Sequence, residues 1–472
     1  MLESLSPYLE YKDSEQLCFG QIPKHWKVLR NGKIFSQHNQ TGFPDLPILE
    51  VSLKTGVRVR DFENSKRKQV LTNRENYKRV GKGDIVYNMM RMWQGAVGVA
   101  PTDGLVSPAY VVASPLPEVD SRYYSYLFRT HSYMNEVNKY SRGIVTDRNR
   151  LYWDEFKQMP SLYPPSNEQK KIADFLDDHG RKVSRLIRIK RKQIGLLKEL
   201  KQAIINQVVT KGLNSNVKMK YSGIEWLEDI PEHWECNKIK RVAQINPSRG
   251  DILKGYSPDD EVVFLPMEKV SVYGDVDDSE MRPIKEIKDG FTYFEKNDVV
   301  VAKITPCFEN GKGACLDKLS TNIGFGTTEF IVLRAHNDKI LPQYLYLITR
   351  TSYFRLLGTD VMTGAAGQKR VPIDFIANFT IGIPNITEQQ TIVDYINQKV
   401  AIIDKHILAI EKEIDLITEY RTRLISDVVT GKVDVREIVV ENTSEEDSDL
   451  DLIDDEESLE DEEVGAMEEV EV

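Results

Sequence analysis

Nine apolar residues, Ile396, Val400, Ile403, Ile407, Ile410, Ile414, Ile417, Leu424 and Val428, recur at alternating spacings of four and three, with one break at Arg421. That rhythm keeps them on one stripe of a helix and is the a/d seam of a coiled coil. An earlier stretch carries the same seam in Leu176, Val183, Ile187, Ile194, Leu197, Ile204 and Val208, with Gly180, Lys190 and Lys201 at the remaining seam positions. Each seam needs an apolar partner, and the obvious partner of each is the other. At about 1.5 Å per residue, roughly 43 residues make a rod of roughly 65 Å.

Ahead of each helical stretch the pattern shortens to strands: Asp84-Ile-Val-Tyr and Ala109-Tyr-Val-Val in the first, Asp298-Val-Val-Val-Ala and Glu329-Phe-Ile-Val-Leu in the second, with Gly, Pro and Asn between them. Arg122 to Tyr133 and Gln343 to Leu357 each read as one helix. The expected unit is a mixed α/β head dominated by a curled, antiparallel-rich sheet, followed by one long helix.

The two units are copies. Ile22-Pro23-Lys24-His25-Trp26 returns as Ile230-Pro231-Glu232-His233-Trp234 at an offset of 208, and Lys82-Gly83-Asp84-Ile85-Val86 as Lys296-Asn297-Asp298-Val299-Val300 at 214. From Ser132-Tyr133 onward the offset stays at 220, through Arg150 on Arg370, Glu168 on Glu388 and Thr210 on Thr430. The helix and the last third of each head are therefore held to one length, while the earlier parts absorb twelve extra residues in the second copy. A fixed frame under variable heads is the layout of a recognition module. For the order head, helix, head, helix, antiparallel pairing of the helices suits the short connection Lys211 to Lys220 and relates the halves by a pseudo-twofold axis.

Charge changes the picture once. The chain has 472 residues and a net charge of −10, but residues 441–472 hold seventeen Asp and Glu and no Lys or Arg. Without those seventeen acids, residues 1–440 stand at +7. The tract reads as disordered. Arg181 to Lys192 carries seven Lys and Arg and no acid on the first long helix, which suits a solvated face, a phosphate track or a dock for an acidic partner.

Cys18, Cys236, Cys307 and Cys315 are scattered, at neither zinc nor redox spacing, and read as buried reduced thiols. His25 and His233 read as packing of a turn beside the tryptophan. The acids near the N-terminus leave no room for a signal peptide's apolar run, no stretch approaches a membrane span, and cytoplasm is the expected compartment. The chain contains no phosphate-binding loop, zinc-protease or nucleophile-elbow motif. Asn246-Pro247-Ser248-Arg249 lacks the second proline and the aromatic of an adenine-methyltransferase motif. No catalytic or metal-binding residue is expected.

Loops supply the candidate chemistry. Arg142, Arg148, Asn149 and Arg150 in the first head stand opposite Gln368, Lys369 and Arg370 in the second, with Gly143 and Gly364 alongside. Arg, Asn and Gln form paired hydrogen bonds to guanine and adenine edges, and Gly lets backbone approach phosphate. A solvated hairpin is the alternative. Arg91 and Gln94, and their counterparts Lys303 and Lys312, offer the same mixture after the matched strands; Lys54, Arg58 and Arg249 complete the DNA-binding candidates.

Together these features resemble the specificity (S) subunits of type I restriction-modification systems. The match rests on Tyr11-Lys-Asp-Ser leading to Ile22-Pro-Lys-His-Trp26, its echo Lys220-Tyr-Ser-Gly-Ile-Glu-Trp226 leading to Trp234, the Pro164 to Gln169 and Pro384 to Gln389 helix entries, and the paired terminal helices, over roughly residues 11–435. The resemblance implies an α+β fold: target-recognition domains at 11–165 and 213–384, and spacer helices at 166–212 and 385–435 forming an antiparallel coiled coil; the acidic disordered tail at 436–472 departs from the family pattern. It implies a non-catalytic subunit reading a bipartite double-stranded DNA target, docking two methyltransferase (M) subunits and working with restriction-translocase (R) subunits. This chain would bind no cofactor; S-adenosylmethionine, ATP and Mg would sit on the partners. Two other readings stand beside it: a methyltransferase or nuclease with unrecognised motifs, and a coiled-coil scaffold whose heads bind protein.

Overall fold

A computed structural model describes residues 5–53, 55–60, 74–143, 149–250, 252–365 and 367–440. The acidic tract 441–472 lies outside the described residues. Two compact units are present, Met1–Arg188 with Ile414–Val472, and Ile189–Glu413. Each contains one head and part of both long helices, Ser166–Lys211 and Ile386–Val429.

Each head is built on a four-stranded antiparallel sheet. In head 1 the order is Phe35–Gln37, Tyr110–Pro115, Ile85–Asn88, Val97–Val99; in head 2 it is Ala243–Ile245, Phe330–Ala335, Val299–Ala302, Gly313–Cys315. The repeated Lys-x-Asp-Ile/Val-Val is the turn into the central strand. Gly83 and Asn297 take φ of +91° and +72°, conformations that glycine and asparagine tolerate best. The Asp84 and Asp298 carboxylates close the turn by accepting from the Gly81 and Glu295 amides at 2.8 and 2.7 Å. Head 2 adds a second four-stranded sheet, Met281–Pro283, Glu261–Leu265, Ile323–Gly326, Thr292–Glu295, whose middle pair is parallel. Head 1 has two-stranded pairs there, Leu49–Ser52 with Gly56–Val59 and Lys78–Val80 with Gly104–Val106.

Where one helix per head was expected there are two: Ser121–Phe128 and His131–Tyr140, and Pro342–Thr349 and Ser352–Asp360. Thr130 and Thr351 make the break. Each hydroxyl donates back to the ending helix, at Leu127 or Ile348, and accepts from the third residue of the next, Tyr133 or Phe354. An N-cap threonine inside an apolar run restarts the helix at a new angle.

The repeated tryptophan joins head to helix. Trp26 is fully buried and donates through Nε1 to Glu168 Oε1 at 2.9 Å; the His25 ring lies 2.8 Å from the other carboxylate oxygen, and the Tyr8 hydroxyl donates at 2.6 Å. In head 2, Trp234 and His233 meet Glu388 at 3.1 and 2.9 Å. A carboxylate in the first turn of a helix also faces the positive end of its dipole. The next residue completes the joint: Gln169 donates to the Pro164 carbonyl and accepts from the Asp120 amide, and Gln389 does the same with Pro384 and Leu341.

Each unit closes on the end of the other long helix. A Cβ on Gly431 would lie 2.4 Å from Pro23 and 3.1 Å from Trp26, and one on Gly212 would lie 3.2 Å from Trp234, so only glycine lets the helix end approach this closely. The Tyr123 and Tyr344 hydroxyls donate to the Val429 and Val209 carbonyls at 3.0 and 3.2 Å, satisfying acceptors that a helix C-terminus leaves unpaired.

Within each unit the helix segments run antiparallel. In unit 2, Lys190 pairs with Glu413 at 2.5 Å and Lys201 with Asp404 at 2.8 Å. In unit 1, His179 stacks on Phe175 and meets the Tyr420 ring edge, and Gly180 faces Arg421. The four cysteines are unpaired and half-buried rather than fully buried; burial pushes the Cys18 thiol up to about 11 and Cys315 up to about 12, leaving both poor nucleophiles. Among the described residues, no helix is long and apolar enough to cross a membrane, and no His, Cys, Asp and Glu group could hold a metal ion.

Two outcomes follow from this frame. Glu168→Ala strips an acceptor from three donors, and unit 1 loses about 2–4 kcal/mol in calorimetric or denaturant unfolding; Glu388→Ala, at a more exposed carboxylate with two donors, costs less. Burial lowers the His179 pKa from 6.5, so the unfolded chain takes up a proton before the folded one. Stability therefore falls as pH drops below about 6.5, and His179→Phe removes that part of the acid sensitivity, read from urea midpoints between about pH 5 and about pH 7.5.

Candidate nucleic-acid interface

Two loops meet in each head, and they meet the same way. In head 1 the backbone of Arg142 pairs with that of Arg150 at 3.0 and 2.9 Å, and the next residue, buried Leu151, donates to the Met89 carbonyl at 2.9 Å. In head 2 Thr363 pairs with Arg370 at 3.1 and 2.8 Å, and buried Val371 donates to the Lys303 carbonyl at 2.8 Å. The 142–151 hairpin is thus laid against the loop after the central strand, which carries Arg91 and Gln94. The 363–371 hairpin is laid against the loop carrying Lys303 and Lys312. Two stretches flagged separately in the sequence form one platform per head.

The side chains differ between platforms. In head 1 Arg150 and Gln94 are exposed and Arg91 and Asn149 half-buried. Arg142 is exposed, but its Nη2 lies 2.5 Å from Glu155. Arg148 and Lys54 lie outside the described residues. In head 2 Gln368 and Lys369 are exposed, while the Lys369 carbonyl accepts from the Thr305 amide and hydroxyl at 2.9 and 3.1 Å, tying the returning strand of the hairpin to the neighbouring loop. Lys303 and Lys312 are half-buried. Arg370 grips Glu329, through Nε at 3.0 and 3.2 Å and Nη2 at 2.7 Å. That hydrogen-bonded pair holds the Glu329 carboxyl below its usual range.

Two candidates sit away from the platforms. Arg58 bonds Glu50 at 2.8 Å across the strand pair that also brings Arg60 to 3.7 Å. Arg249 is spent on the Lys288 carbonyl and on Asp289 at 3.0 Å. Reading basic loop residues alone missed the carboxylates that hold them, because Glu155 lies on the short helix Trp153–Phe156 and Glu329 just before the strand Phe330–Ala335, and only the folded head brings them near.

A second feature runs along the helices. In unit 2, Ile189, Leu196 and Leu200 are exposed at spacings of seven and four, which puts them on one face, and Ile402 and Leu408 are exposed on the partner helix. In unit 1, Leu186 and Leu416 are exposed likewise. The basic run Arg181 to Lys192 is partly paired inside each unit, Arg181 and Lys182 with Asp178 and Lys190 with Glu413.

The model of the type I restriction modification DNA specificity domain matches this chain twice, over residues 20–195 and 231–415, once for each head with its adjoining helix. The chain belongs to that family. Among its relatives, the specificity subunits of the Escherichia coli type I restriction enzymes EcoAI and EcoEI are 38% identical over 178 and 166 residues, 38% and 35% of this chain. Those segments span 30% and 27% of the relatives' own lengths. The putative type I restriction enzyme MjaX specificity subunit of Methanocaldococcus jannaschii is 21% identical over 440 residues, 88% of this chain and 96% of that one. Two solved structures share the fold. A chain from work on complex assembly and conformational transition of the type I R-M system has a TM-score of 0.62 at 12% identity, covering 86% of this chain and 98% of its own. The HsdS subunit from Thermoanaerobacter tengcongensis has a TM-score of 0.50 at 14% identity, covering 89% and 98%. The family matches thus coincide with the duplicated head-and-helix pattern read from the sequence.

Proposed function

We propose that this chain is the non-catalytic specificity subunit of a type I restriction-modification complex, with each head reading one half of a bipartite duplex. The observation that carries this reading is the platform built twice on the same backbone hydrogen bonds but furnished with different side chains: Arg150, Asn149 and Gln94 in head 1, Gln368, Lys369 and Arg370 in head 2. Matching backbone bonds hold both hairpins at equivalent places, and unlike side chains give them different partners. Sequence is read by such groups at base edges, whereas phosphate contacts set position.

On this reading the paired helices form the coiled-coil spacer. Their exposed Ile189, Leu196, Leu200, Ile402 and Leu408 are the apolar anchors on which two methyltransferase subunits dock. S-adenosylmethionine belongs to those subunits, and ATP and Mg to the restriction-translocase subunits that join them.

The test uses the full chain assembled with its methyltransferase subunits and a randomised duplex library. Arg150→Ala weakens base preference in one half of the selected target and Lys369→Ala in the other, each by about 1–3 kcal/mol if the residue reads a base. Arg249→Ala, whose guanidinium is already engaged, changes little in either half. Equal losses in both halves from either head's variant would overturn the assignment.

A further inference from the structure

Arg150 and Arg370 occupy the same place in the two heads, yet among the described residues an acid braces only Arg370. Each sits in the bridge that closes its hairpin, followed by the buried Leu151 or Val371 that ties the hairpin down. The residue in front of the adjoining strand also corresponds: the Met89 amide donates to the Ala109 carbonyl at 3.3 Å, and the Lys303 amide to the Glu329 carbonyl at 2.8 Å. Head 1 therefore has a methyl group where head 2 has a carboxylate. Among the described residues the Arg150 guanidinium meets no acid, while Arg370 is gripped from the side by both oxygens of Glu329.

The geometry of that grip decides what it leaves over. A guanidinium has five N–H groups. Glu329 takes the one on Nε and one on Nη2, and the Gln368 carbonyl takes one on Nη1 at 3.3 Å. Two N–H groups remain, on the neighbouring nitrogens Nη1 and Nη2, on a side chain that is still 44% exposed. The backbone beneath is fixed by bridges to both Thr363 and Ile304. Two donors on the neighbouring terminal nitrogens of a held fork suit two adjacent acceptors, and in the major groove guanine presents these as N7 and O6, whereas adenine puts an amino group at the second place. The adjacent carboxylate also repels phosphate, so the fork favours a base edge over the backbone.

Resting on the reading of the heads as DNA readers, we propose that Glu329 is a positioning residue that aims Arg370 at a guanine in the half-site read by head 2. Head 1, with Ala109 at the equivalent place, leaves Arg150 adaptable and pays more side-chain entropy to order it. The Arg370 hydrogen bond holds the Glu329 carboxyl below its usual range and so favours the charged form that grips the guanidinium.

Base preference at every target position is measured for the full chain with its methyltransferase subunits, selected against a randomised duplex library. Wild type selects guanine at one position of the half-site that Lys369→Ala disturbs. Arg370→Ala and Glu329→Ala each reduce that preference about ten- to a hundred-fold and leave the other half unchanged. The double variant is no worse than Arg370→Ala alone, as expected of two residues acting as one unit. Glu329→Gln, which keeps shape and one acceptor, retains part of the preference, and Ala109→Glu sharpens it at the position read by Arg150. A Glu329→Ala profile identical to wild type would overturn the proposal. So would tighter binding with a new preference, since Glu329 would then mask the arginine rather than aim it, or the absence of a selected guanine in that half. A wild-type selection with no split target would instead overturn the underlying reading of the heads.

Discussion

Everything in each unit hangs on one carboxylate in the first turn of a long helix. A buried carboxylate is tolerable only when donors surround it. Trp26, His25 and Tyr8 supply them for Glu168, and Trp234 and His233 for Glu388. The same tryptophans pack against Gly431 and Gly212, two residues and one residue beyond the opposite helix ends. One indole therefore fixes the start of one helix and the end of the other relative to the head sheet. With that joint held, the loops can change sequence without moving the frame.

The frame was legible in the sequence because it repeats. Ile-Pro-x-His-Trp and Glu-Gln recur, and the structure shows why: they touch each other. The seam was legible too, though its irregularities looked like flaws. Gly180 faces Arg421, the small residue making room for the large one, and Lys190 and Lys201 find Glu413 and Asp404 across the pair. A single strip of sequence gives the period but not which break faces which. The split of the head helices was hidden for a related reason, since Thr130 and Thr351 sit in otherwise apolar runs and act through hydrogen bonds that periodicity does not register.

The candidate interface was legible in half. Glycine, arginine and glutamine picked out matched loops in the two heads, but not that Leu151 and Val371 would stitch each of those loops to its neighbour. The positive charge of the folded body also overstated what is available for a ligand. Arg142, Arg249 and Arg370 are each held by a carboxylate, and their partners are 13, 40 and 41 residues away in sequence. Counting bases therefore locates a surface but does not say which of them are free to bind.

Unit 2 is one continuous stretch of chain, whereas unit 1 is completed by the segment from Ile414 onward. Leu424, Val428, Val429 and Val435 lie in the same core as Trp26 and Tyr123, and Asp434 donates its amide to Ser6 at 2.8 Å. During synthesis head 1 emerges first, but its hydrophobic core waits for more than two hundred further residues before it closes. The head made second can be finished first. Such late closure over a long sequence separation is slow and leaves apolar surface open meanwhile. It places the first-made half of this protein in the care of whatever shields nascent chains on the ribosome.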